Sequence, residues 1–217
     1  MEHIVGLFER GGPSMYAIAA VALVGCTLFI ERLLTVRGLV PEIRNLARRI
    51  RDASAASDMP TLLTNCTEAK HGLGPVLGRG VELAMRGADR EQIFRAMSRD
   101  ARRLNRRLRR GLGLLAALGT MAPFLGLLGT VLGIMQALRD IGEKGDAGFD
   151  VVSVGVGEAL VTTAAGIVVA VVIVVLHQYL KARLGAAVLE VQLLVEEASD
   201  QLASTEQAQS GDGGSNE

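Results

Sequence analysis

The chain has 217 residues, 49% of them hydrophobic and 21% charged, with a formal net charge of +0 and a mean hydropathy of +0.33. That length ordinarily makes one or two small soluble domains, but positive hydropathy with the charges gathered into blocks argues against a soluble fold. The sequence holds no glycine-rich nucleotide loop, no metal-ligand cluster and no nucleophile–base–acid set, so nothing in it supports an enzyme, a catalytic residue, a metal site or a cofactor.

Residues 3–10, HIVGLFER, set Ile4, Val5, Leu7 and Phe8 beside charged ends, which suits a short interfacial helix within residues 1–13. Gly11, Gly12 and Pro13 break it. The uncharged run Gly11–Ile30 follows, ended by Glu31 and Arg32, and predicts a first transmembrane helix over 14–34. It lacks the positive cluster and the small-residue cleavage site of a signal peptide. Cys26 lies in this run and Cys66 in a basic polar segment, so both read as free thiols.

From Glu31 to Arg110 there are 18 lysines and arginines against 9 acids. The positive-inside rule places the segment 35–110 in the cytoplasm, the N-terminus on the periplasmic side and the C-terminus inside. The segment reads as helical. Pro41 is expected to open one helix carrying IRNLARRIRDA, Asp58 and Pro60 to start a second, and Gly87 to end the piece that follows the glycines at 72, 74, 78 and 80. Asp89 followed by Gln92 predicts the cap of a long last helix. Its seam is Ile93, Met97, Leu104, Leu108, Leu112 and Leu115, which predicts one continuous helix into the second span. The arginines on its other faces suit topology and anionic lipid, not nucleic acid.

Residues 111–138 carry no charge, and residues 151–179 carry only Glu158 and His177. Each run exceeds the ~20 apolar residues that cross a bilayer as a helix. The loop 139–150, with 2 basic and 4 acidic residues, makes them a hairpin with a periplasmic turn. A cytoplasmic helix over 180–203 continues the third span, with Leu184, Val188, Val191, Val195, Ala198 and Leu202 as its seam. The polar, glycine-rich tail 204–217 is expected to be disordered. The fold class is all-α: an integral membrane protein with three transmembrane helices and long helices extending into the cytoplasm.

Within the hairpin, Gly119, Ala122, Gly126, Gly129 and Gly133 fall within about 80° of one another on an ideal helix. Such a stripe lets helices approach closely, within the hairpin or between copies of the chain. Glu158 is the costly residue: an ionisable acid inside a span costs about 2.5–3.5 kcal/mol on insertion scales. Counted from helix ends at 138 and 151, Thr130 and Glu158 are expected at one depth, with Thr162 and Thr163 below. These four form a candidate ion pathway, a ladder of hydroxyls and a carboxyl. A structural hydrogen bond from protonated Glu158 is the alternative.

Residues 119–135, GTMAPFLGLLGTVLGIM, with 157–166, GEALVTTAAG, resemble the signature of the ExbB/TolQ/MotA proton-channel family, closest to the ExbB/TolQ branch. The resemblance implies an inner-membrane ring, a homo-oligomer of five copies, enclosing an ExbD/TolR-like single-span partner dimer whose helix supplies an aspartate. It also implies polar pore positions at Thr130, Glu158 and Thr163. Thr162 departs from the family pattern by adding a second hydroxyl, and Met121 stands where a small polar residue is common. Glu158 and Thr163 lie about 140° apart on an ideal helix, so one face cannot present both.

Overall fold

The computed structural model describes residues 12–56, 64, 72–144 and 149–212. Five helices account for nearly all of them: α1 (Gly12–Ala56), α2 (Gly74–Ala84), α3 (Arg90–Leu108), α4 (Leu112–Lys144) and α5 (Phe149–Asp212). Among the described residues there is no strand, and three helices are long and apolar enough to cross a membrane. The expected interfacial helix at the N-terminus, the helix start at Asp58 and Pro60, and Cys66 lie outside the described residues.

Three boundaries differ from the sequence reading. Pro41 does not open a helix but sits inside α1. A proline there removes the hydrogen bond to the carbonyl four residues back, at Arg37. Both Arg37 and Pro41 are exposed, so water can satisfy that carbonyl. The helix capped by Asp89 does not run unbroken into the second span. It ends at Leu108, turns through Arg109–Gly111, and α4 starts afresh at Leu112. Gly111 has φ of 84°, the left-handed region where glycine alone is unstrained. Finally, α5 runs to Asp212, past Ser204 where a disordered tail was expected to begin; residues 213–217 are outside the description.

The contacts divide the described residues into two compact units, one within 1–31 and 111–181, the other within 32–110 and 182–217. The second unit is built like a soluble helical protein. Leu39, Ile43, Leu46 and Ile50 of α1 are buried, as are Val76, Leu77 and Val81 of α2 and Ile93, Met97, Leu104 and Leu108 of α3. From α5 come Leu184, Val191, Val195, Ala198 and Leu202, the expected seam save for half-buried Val188. Removing side chains of this size from water is worth about 1.5–3 kcal/mol each. Asp89 caps α3 by accepting from the Gln92 amide at 2.7 Å. The α3 arginines 95, 99, 102, 103, 106 and 107 are all exposed. Arg90 pairs with Asp200 of α5, whose hydrogen bond and charge raise the guanidinium above its ordinary pKa. Both partners are exposed, so the pair adds little stability.

The first unit is built the other way. Leu23 and Phe124 are 70% exposed, and Met135, Val154, Val168 and Val175 more than 60%. Its interior is narrow: Met15 and Ile18 of α1, Leu115 and Ala122 of α4, and Ala159, Thr162, Ala170 and Ile173 of α5. Small residues on the inside and large apolar ones outside are what helices surrounded by lipid or by other membrane helices require.

Gly111→Ala puts a Cβ at a left-handed position, at a cost of about 1–2 kcal/mol. It should lower the thermal unfolding midpoint of the detergent-solubilised protein. Gly113→Ala, in α4 with nothing within 4 Å of the added carbon, should not lower it, and circular dichroism melts of the two variants give the comparison.

Candidate functional site

The pairing of α4 with α5 depends on absent side chains. A Cβ on Gly133 would lie 2.7 Å from Ala159 Cβ, and one on Gly155 2.8 Å from Ala137 Cβ. A Cβ on Gly126 would meet Thr163 Cα at 3.0 Å, and one on Gly166 would meet the Ala122 carbonyl oxygen at 2.8 Å. The two backbones are therefore in contact over more than two turns. All five stripe residues take part inside one chain: Gly119 faces Ile173 and Val174, Ala122 is fully buried, and Gly129 faces Thr162 and Ser14. The stripe packs inside the hairpin.

Backbone contact brings carbonyls within reach of side chains on the opposite helix. Thr163 Oγ1 donates to the Gly126 carbonyl at 2.9 Å and lies 3.4 Å from Thr130 Oγ1. Thr130 in turn donates to Leu127 O at 2.7 Å, the local bond a membrane threonine ordinarily makes. Thr162 is 1% exposed, with its hydroxyl 3.4 Å from the Glu158 carbonyl oxygen. Thr130, Thr162 and Thr163 are thus brought together at one level.

Glu158 is not at that level. It precedes Ala159, which packs on Gly133, so the acid lies about one turn nearer the loop than Thr130. The expected equal depth fails because the helix ends were misplaced: α4 continues to Lys144, while α5 begins only slightly before 151, at Phe149. Those unequal extensions shift the register by about one turn. Glu158 is half-buried, and among the described residues no hydrogen bond or ion pair engages its carboxylate.

Ser14 is the residue that sequence reasoning passed over, taking it only as the start of a span. A Cβ on Gly129 would be 2.7 Å from the Ser14 hydroxyl and also against the Thr162 methyl, so α1, α4 and α5 meet there. The available signal was weak: Ser14 is the one hydroxyl in the first turn of an otherwise apolar run.

Residues 68–193 match the profile of the family described as the MotA/TolQ/ExbB proton channel family. The biopolymer transport protein ExbB of Xanthomonas campestris is 34% identical over 145 residues, 65% of this chain and 56% of that protein. A putative ExbB homolog of Methanothermobacter thermautotrophicus is 25% identical over 195 residues, 88% of this chain and 67% of that protein. ExbB of Neisseria gonorrhoeae is 47% identical over 75 residues, 35% of this chain and 34% of that protein. The match to the Xanthomonas protein thus spans little more than half of that relative's length.

Gly166→Ala drives a methyl into the Ala122 carbonyl and the Gly126 backbone, neither of which can rotate away. Overpacking of this kind costs about 1–3 kcal/mol. The expected result is a lowered unfolding midpoint and loss of the Thr163–Gly126 bond. Gly157→Ala, whose added carbon meets nothing within 4 Å, controls for the loss of a glycine and should leave the midpoint in place.

Proposed function

The chain belongs to the MotA/TolQ/ExbB proton channel family and is a multi-pass membrane protein, and from that premise we propose that it is the channel-forming subunit of an ExbB/TolQ-like proton-driven motor. In this reading it sits in the inner membrane, with its N-terminus periplasmic and its C-terminus cytoplasmic. Copies assemble as a ring, a pentamer, around the single-span helices of an ExbD/TolR-like dimer. Thr130, Glu158, Thr162 and Thr163 line or border the ion path. The chain transports and does not catalyse.

One observation carries the reading. Glu158 is a half-buried carboxyl on a helix otherwise uncharged from 151 to 180, and no described residue of its own chain engages it. An intramembrane acid is rarely kept without a partner or a water-filled path. Proton relay needs a second titratable group; no other acid lies in the apolar runs 11–30, 111–138 and 151–179, and His177 is 19 residues from Glu158 on the same helix, so in this reading a partner subunit supplies it. The membrane potential provides about 2.3 kcal/mol per charge per 100 mV, which over several protons suffices to move that partner. A purely structural Glu158 in a non-conducting scaffold ring needs a hydrogen-bond partner, and none is in place within the chain among the described residues, so a neighbouring copy would have to supply it.

Glu158→Gln keeps size and hydrogen-bonding capacity and removes titration. Reconstituted in proteoliposomes with its partner, the variant should assemble as the parent does and lose at least about a hundredfold in partner-dependent proton flux, the scale of a positioned proton-transfer group. Undiminished flux in an assembled Glu158→Gln ring would return the protein to the scaffold reading.

A further inference from the structure

Within the second unit α5 carries two seams of the same spacing. Leu184, Val188, Val191, Val195, Ala198 and Leu202 pack toward the interior. Ala182, Ala186, Leu189 and Leu193 repeat the same steps of four and three, about 160° away around the helix, and all four are exposed. Leu189 and Leu193 are 56% and 54% exposed. Two leucines one turn apart on the outside of a unit built like a soluble protein form an uncovered face, and their spacing is that of a seam between packed helices.

A hollow of matching character lies on another side of the same unit. Phe94, Ala101, Leu104 and Leu108 of α3, with Val191 and Val195 of α5, wall an open groove of about 360 Å³, and Arg95, Arg102 and Glu196 stand at its edge. The two surfaces differ in charge. α3 has seven arginines against two acids. Among the described residues no ion pair engages Arg99, Arg102, Arg106 or Arg107. From Leu184 to Asp200, α5 has four acids and no base, and Glu190, Glu196 and Glu197 flank the leucine seam. We propose that a second copy of this chain fills the groove: the Leu189–Leu193 seam of one copy seats between α3 and α5 of the next, with its flanking acids against the α3 arginines.

A chain cannot place its own seam there, because α5 is itself one wall of the groove. Seam against seam would set acid against acid, which opposes a symmetric pair. Seam into groove joins two different surfaces, and head-to-tail contacts of that kind generate rings when the rotation closes. The contact thus names how copies meet in the proposed ring and rests on that reading.

Cross-linking of the full chain in the membrane tests it, with the native cysteines removed by Cys26→Ala and Cys66→Ala. Ala101→Cys, in the groove, and Leu193→Cys, on the seam, are carried on separate copies. A short thiol-reactive linker should join the mixed copies and neither variant alone. The yield should fall at least about threefold as salt rises from about 0.1 M to about 1 M, over which the screening length drops from about 10 to about 3 Å. Arg102→Glu on the groove copy should lower it as well. Linkage of Leu193→Cys copies to each other at the yield of the mixture overturns the inference, as does a yield that neither salt nor Arg102→Glu changes. A parental chain that has the mass of a ring in detergent, beside variants that do not cross-link, moves the contact elsewhere and leaves the ring standing. A parental chain that is monomeric in detergent and uncross-linked in the membrane refutes the ring and the contact together.

Discussion

Direct backbone contact between α4 and α5 is the constraint on which the rest of the membrane unit depends. In lipid there is no hydrophobic drive to bring helices together, so close packing and interhelical hydrogen bonds must do it. Glycine or alanine at 122, 126, 133, 137, 155, 159 and 166 removes the spacers that would hold the axes apart. Only at that separation can the Thr163 hydroxyl reach the carbonyl of Gly126, at 2.9 Å. The same contact fixes register, because each missing Cβ is matched to a particular neighbour, and a slip by one residue would set Ala159 or Ala137 against a larger side chain. The polar cluster is thus a consequence of the packing. It does not cause it, since isolated interhelical hydroxyl bonds contribute on the order of 0.6 kcal/mol.

Much of the fold was legible because the physics that governs it is local. Uncharged runs long enough to span a bilayer marked all three membrane helices, and the capping pair Asp89 and Gln92 is realised in the amide bond to Asp89. The seams of α3 and α5 were readable because each needs only helical periodicity and one buried side. What was not legible depends on neighbours. Pro41 looks like a helix start in sequence, yet the carbonyl it leaves unpaired belongs to an exposed residue that water can reach, and α1 continues through it. Gly111 looked like one more glycine in a glycine-rich span, and only its backbone angle reveals the break between α3 and α4.

The candidate site shows the same division. Residue types sufficed to pick out Glu158 as costly and the threonines as its company, since depth in an apolar run is a sequence property. Their mutual arrangement was not, because it turns on where each helix ends at the loop. Polar residues 139–144 read as a turn but extend α4 by further helical residues, and the acid moves one turn away from Thr130 as a result. Ser14 was invisible for a related reason. Nothing in a lone serine near the start of a span says which helix it faces; that information is held by Gly129, more than a hundred residues later.

The outer surface of the membrane unit is large and apolar, and one half-buried acid lies at its edge. The stripe at 119, 122, 126, 129 and 133 is used inside the hairpin, and large apolar side chains such as Phe124, Met135 and Val168 remain outside. Lipid alone would satisfy those. It would not satisfy Glu158, whose carboxylate has no counterpart among the described residues and whose burial in hydrocarbon is expensive in the charged form. That carboxyl is held half-buried at the edge of a packed hairpin and bonds nothing described within its own fold, whereas Thr163 bonds Gly126. The contrast between a threonine whose bond is made and an acid whose bond is open makes Glu158 the cleaner position to test, because a substitution at Thr163 disturbs helix packing as well as the candidate site.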